Sequence, residues 1–78
     1  MLPVQCKMAR VALGLSLIDL AKLAEVAPAT ISRLEAGEAL KPRTLRDIRQ
    51  TLEDTGVIFI DENGGGAGVR LKKPGPQA

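Results

Sequence analysis

Apolar residues along this chain recur first with the period of a helix and later with that of a strand. Between Pro3 and Leu13, residues Cys6, Ala9 and Leu13 fall on one face, with Gln5 and Lys7 expected to face water and Gly14 expected to stop the helix. The next segment opens on Ser16, which can cap a helix with Asp19 three residues on as a partial capping box, and it carries Leu20, Ala21 and Ala24 on one side. A break falls at Val26-Ala27. Pro28 then takes the first position of a third helix, where its missing N–H costs nothing, and this helix runs to about Ala36 with Ile31 and Leu34 inward. Gly37 supplies the left-handed residue that ends it. After a loop from Glu38 to Pro42, Arg43 to Thr55 reads as a fourth helix with Leu45, Ile48 and Leu52 on one face. Gly56 marks the change of period: Val57 to Ile60 reads as a strand, Asp61 to Gly66 as a polar turn, and Ala67 to Lys73 as a second strand in which Val69 and Leu71 alternate with Arg70 and Lys72. The pattern predicts a mostly α fold of about four helices over residues 1–56, a β-hairpin over 57–73 and a disordered tail over 74–78.

Seventy-eight residues make one small domain, and the charge balance, 11 Lys+Arg against 9 Asp+Glu, is only +2. Nucleic-acid affinity would have to come from a local patch, and the fourth helix offers one: Lys41, Arg43, Arg46 and Arg49 against Asp47 give a local +3. A single cysteine and no histidine exclude a disulfide framework and leave no metal set, so neither a metal nor another cofactor is expected. Cys6 itself reads as a small buried apolar residue. Phe59 is the only aromatic residue, which removes the stacking platforms of single-strand and RNA binders but not the reading of duplex DNA by a helix. Asp54-Thr55-Gly56 spells the aspartic-protease triplet, yet it ends a helix where those enzymes need a loop after a strand, and no acid pair or histidine is left for catalysis; no enzyme is expected. Gly64 to Gly66 are not followed by the helix of a phosphate cradle, and Asp61-x-Asn63 lacks the downstream acid of a calcium loop. The apolar run Val11 to Ile18 behind Lys7 and Arg10 is too short to span a bilayer, and Asp19 and Lys22 interrupt its continuation, so neither secretion nor membrane attachment is expected; the single cysteine fits a reducing cytoplasm, and the sequence offers no pocket for a small-molecule ligand.

Taken in order, Arg10, Gly14-Leu15-Ser16, Leu20-Ala21, the turn at Val26, Thr30-Ile31-Ser32-Arg33 and Glu35-x-Gly37 resemble the helix-turn-helix of the lambda-repressor-like family, also called the Cro/C1 or XRE type. The resemblance covers roughly residues 5–56. It implies an ion pair between Arg10 and Glu35 that ties the first helix to the third, and a bidentate guanidinium–carboxylate contact of this kind fixes an angle more than it adds net stability. It implies that the third helix enters the major groove of double-stranded DNA. Ser16, Pro28, Ala29, Thr30, Ser32 and Arg33 would then contact DNA: Arg33 can bond guanine or a phosphate, and Ala29 can meet a thymine methyl. Lys41, Arg43 and Arg46, on the segment that follows the recognition helix, would hold the backbone without reading sequence. The chain departs from the family pattern at Leu17, where many relatives carry a phosphate-contacting glutamine, and at Ala27, where they carry a polar N-cap.

The first strand is apolar on both faces, Val57 and Phe59 on one and Ile58 and Ile60 on the other. A hairpin alone is marginal in water, so one face should cover the helices and the other, or the strand edge, should meet a second copy. Ile58, Phe59, Ile60, Val69 and Leu71 are thus the expected dimerisation residues. The reading is a homodimeric, sequence-specific DNA-binding transcriptional regulator, most simply a repressor, on a palindromic operator. A protein-interaction module, antitoxin-like or phage-derived, that keeps the helix-turn-helix as scaffold is the competing reading, with Leu17, Ile18 and the hairpin as its working surfaces.

Overall fold

The computed structural model describes residues 1–72, so Lys73 and the tail 74–78 lie outside the described residues. Four helices, α1 (Pro3–Ala12), α2 (Leu17–Ala24), α3 (Pro28–Glu35) and α4 (Pro42–Thr55), are followed by the strands β1 (Val57–Ile60) and β2 (Gly68–Leu71). The strands pair antiparallel with Val57 opposite Leu71 and Ile60 opposite Gly68. The fold is mostly helical with a C-terminal hairpin. α4 starts one residue before the expected Arg43, because Pro42 serves as the first helical residue behind Lys41.

Each helix start and stop has a local cause. At α2 the Ser16 hydroxyl accepts the Asp19 N–H at 3.0 Å while the Asp19 carboxylate accepts the Ser16 N–H at 2.9 Å, a complete capping box. α1, α2 and α3 all end with the same device. Leu15 N–H bonds Arg10 C=O, Val26 N–H bonds Ala21 C=O, and Glu38 N–H bonds Arg33 C=O, each spanning five residues around one residue of positive φ. That residue is Gly14 at φ 71° and Gly37 at φ 90°, but between α2 and α3 it is Glu25 at φ 58°. The turn therefore pivots one residue before the expected Val26-Ala27, on a side chain that pays for the left-handed conformation about 1–2 kcal/mol that glycine does not.

The core sits where the helices meet the inner face of the hairpin: Cys6, Ala9, Leu20, Ala21, Ile31, Leu34, Ile48, Leu52, Val57 and Phe59 are buried, and Leu13, Leu17, Val26, Leu45 and Val69 pack against them. Two expectations are corrected here. Gln5 does not face water; it is 2% exposed, because it lies four residues before Ala9 on the inward face of α1. Its amide is fully used: Oε1 accepts the Leu2 N–H at 2.8 Å, and Nε2 donates to Ile60 C=O at 3.0 Å and Gly68 C=O at 2.9 Å. This polar clasp holds the far end of the hairpin to the first turn of α1. Phe59, expected at a dimer contact, is instead a core residue on the face that β1 turns to the helices, so it has no surface to offer a second copy. Val69, opposite Phe59, packs against the same core.

Candidate nucleic-acid interface

α3 is held from two sides. Ile31 and Leu34 are buried against the core, and α3 packs on both α2 and α1. At its C-terminal end Glu35 meets α1: Arg10 Nε donates to Glu35 Oε2 at 2.8 Å and Arg10 Nη2 to Oε1 at 2.9 Å, with side chains only 14% and 9% exposed. Arg10 Nη1 also reaches Leu15 C=O at 3.2 Å, and the Cys6 thiol points at Glu35 Oε2 from 3.6 Å. The fork-on-fork hydrogen bonds from Arg10 hold the Glu35 carboxyl below the usual glutamate range, and the same bonds raise the Arg10 guanidinium. Burial, reinforced by the neighbouring Glu35 charge, pushes the Cys6 thiol up to about 12, so it is a neutral donor in the core and not a nucleophile.

With Ile31 and Leu34 turned in, the helical period turns Ala29, Ser32 and Arg33 out, with Pro28 and Thr30 at their flanks. Pro28, Ala29, Ser32 and Arg33 are exposed and Thr30 is half-buried. The first turn of α3 has no side-chain cap, because Ala27 precedes it, so its leading N–H groups carry no side-chain acceptor. The Ser16 hydroxyl, by contrast, is already engaged as the cap of α2.

Lys41, Arg43 and Arg46 are all exposed, and none forms an ion pair among the described residues. Arg49 is drawn away from this set. Its guanidinium lies 5.0 Å from the centroid of the Phe59 ring and 3.4 Å from Glu53, so it ties α4 to β1 and does not add to the free charge. The sign of the local patch survives without it.

Among the other surfaces, the glycine-rich turn has satisfied itself. Glu62 Oε1 accepts the N–H groups of Gly64 and Gly66 at 2.9 and 3.0 Å, and Asn63 Oδ1 accepts that of Gly65 at 3.1 Å, which leaves no free cradle for an anion. No group of three or more potential metal ligands occurs among the described residues. None of the described helices is long and apolar enough to cross a membrane. Ile18 and Leu23 on α2 are 55% and 51% exposed, whereas Leu17 packs on the core.

Two residues with structural roles escaped the sequence reading: Gln5, which clasps the hairpin to α1, and Glu25, which shapes the turn between α2 and α3. Gln5 carried a signal, its place at the third position of α1 where a side chain can reach back to the helix start. Glu25 carried none, because its composition does not announce a left-handed residue.

A family model described as helix-turn-helix matches residues 7–54, more than half of the 78 residues, and takes in α2, α3 and nearly all of α4. No match was found among curated proteins. The chain belongs to the Cro/C1, or XRE, type of helix-turn-helix family, whose members are DNA-binding regulators.

Proposed function

We propose that this protein is a cytoplasmic, sequence-reading regulator of transcription that binds double-stranded DNA as a homodimer, with one α3 in the major groove of each half of a palindromic site. The observation that carries the reading is the seating of α3. A bidentate ion pair and two buried aliphatic side chains fix the helix, while the row Pro28, Ala29, Thr30, Ser32 and Arg33 is left without intramolecular side-chain partners among the described residues. Arg33 is the one long donor in that row and reads a base edge, best a guanine; Ala29 and Thr30 supply methyl contacts. Lys41, Arg43 and Arg46 neutralise phosphates, and Ser16 lies beside the backbone at the start of α2. Occupancy of a promoter by the dimer represses by excluding polymerase. No ligand enters this scheme.

A second reading, docking of another protein on the helix-turn-helix, is favoured by one observation, the exposure of Ile18 and Leu23 on α2. Salt separates the two. Binding of a duplex through several phosphates weakens steeply as salt rises, and Arg43→Ala lowers the slope of log affinity against log salt by about one. Arg33→Ala changes the relative affinities for different sequences by about 1–3 kcal/mol at the base it contacts. Binding that is indifferent to salt, or an Arg33→Ala loss equal for every sequence, would contradict the assignment.

A further inference from the structure

Among the described residues the hairpin leaves two strand edges open, and they differ in what flanks them. α4 lies over β1 and α1 over β2. Beside β1 stands the charged side of α4, with Arg49 stacked on Phe59 and paired to Glu53. Beside β2 stands the outward face of α1, where Val4 is 55% exposed and Val11 61%, with half-buried Met8 between them at helical spacing. These three residues, with Lys7 and Ala12, line a shallow apolar groove.

α1 and β2 run side by side in the same direction. Near the start of α1, Gln5 bonds Gly68 C=O, and Met8 Cε is 3.9 Å from where a Cβ on Gly68 would lie. At its end, Leu13 Cδ2 is 3.5 Å from the corresponding point on Gly56, whose carbonyl accepts the Lys72 N–H at 2.8 Å. That last bond also sets which backbone groups are free. Antiparallel pairs alternate between bonded and non-bonded, so with Gly56 and Lys72 bonded, Arg70 and Gly68 turn their backbone groups to β1, while Leu71, Val69 and Ala67 turn theirs out to the open edge.

We infer that this side of the molecule receives a second copy of the same chain: β2 pairs antiparallel with β2 of the partner, and the same rotation packs the two α1 helices antiparallel over the resulting four-stranded sheet. The inference rests on the homodimeric reading above and assigns its surface. Three features select a copy over any other occupant. An isologous contact must be self-complementary, and the α1 stripe is, with valine at each end and Met8 at its centre. The centre of the stripe lies beside Gly68, one residue from Val69, so a single two-fold axis near Val69 serves helix and strand together. Centring on Val69 also sets each Arg70 opposite a glycine instead of opposite the other Arg70, avoiding like charges in register.

The test is sedimentation of the full chain and of three variants, each first shown by circular dichroism to melt as the wild type does. Val11→Asp buries a charge in the α1 contact, and Val69→Pro removes the outward N–H at the axis without touching the bonds to β1. Ile58→Asp alters the outer face of the hairpin, which this arrangement leaves in water. Wild type and Ile58→Asp are expected to be dimers at hundreds of micromolar, with Val11→Asp and Val69→Pro shifted to monomer by tenfold or more in dissociation constant. Dimers that persist in both Val11→Asp and Val69→Pro, or a wild type that stays monomeric, would overturn the assignment. DNA binding is read separately: Val11→Asp is expected to keep its affinity for a duplex holding one half-site, so loss of the dimer and loss of DNA recognition are distinguishable.

Discussion

Replacing Glu35 by alanine probes the joint between α1 and α3 at its most concentrated point. The change removes both acceptors of the Arg10 fork, at 2.8 and 2.9 Å, and the acceptor of the Cys6 thiol, leaving Arg10 with only the Leu15 carbonyl at 3.2 Å. Breaking a fully buried ion pair from one side costs about 3–5 kcal/mol, because a charge is left without compensation. Arg10 retains a carbonyl partner and is 14% exposed, so water reaches part of it, and the expected loss is about 2–3 kcal/mol. A domain of this size holds roughly 4–12 kcal/mol in total at about 0.05–0.15 kcal/mol per residue. Thermal unfolding followed at 222 nm should then show a midpoint lowered by roughly 10–20 °C, at about 4–8 °C per kcal/mol for small domains. The paired replacement Arg10→Met with Glu35→Leu removes both charges and should return to within about 1 kcal/mol of the wild type, since apolar residues of similar volume substitute for an ion pair at little cost. Its DNA affinity should stay reduced, because the fork sets the angle of α3 and packing alone does not. A Glu35→Ala protein within about 0.5 kcal/mol of the wild type, or a double variant no more stable than the single one, would refute this account of the joint.

Further outcomes follow from the same geometry. Glu35 has its folded pKa below the ordinary value of 4.5, so its stabilisation is fully present above that value and is lost as pH falls through the folded value; acid unfolding should begin at higher pH in wild type than in a pseudo-wild type lacking the charge pair, read by circular dichroism. Gln5→Leu leaves the Ile60 and Gly68 carbonyls and the Leu2 N–H without the amide, and should cost about 1–3 kcal/mol while raising hydrogen exchange in β2 before α3. Glu25→Gly should stabilise by about 0.5–1 kcal/mol by relieving a left-handed side chain, measured by urea unfolding, and the equivalent Gly37→Ala should destabilise by about 1 kcal/mol although no atom lies within 4 Å of the added Cβ.

Much of the fold was legible because helix punctuation is local chemistry. Ser16 with Asp19, Pro28 at a helix start, and Gly14 and Gly37 at helix ends each act through neighbours a few residues away, so spacing alone places them. The sequence of β1 required one face to cover the helices, but with Val57 and Phe59 on one side and Ile58 and Ile60 on the other both faces are apolar, so which one turns inward was not legible. What escaped depends on contacts distant in sequence. Gln5 reads as a surface residue until the hairpin, more than fifty residues on, presents two carbonyls to it. Arg49 reads as one more cation of α4 until Phe59 arrives beneath it. Glu25 takes a glycine's conformation because tight packing of α2 on α3 leaves the turn one shape, which outweighs the residue's own preference. The site shows the same division: the spacing of α3 yields which residues face outward, while what Arg33 touches depends on a base sequence that lies outside the chain.

The central claim is that α3 reads sequence, and selection from a pool of random duplex DNA tests it most directly, carried out with the wild type and with Arg33→Ala at low and moderate salt. The account predicts enrichment of a two-fold symmetric motif by the wild type, with the change in Arg33→Ala confined to one position in each half. Recovery of no motif, with only unspecific binding that vanishes as salt rises, would contradict it.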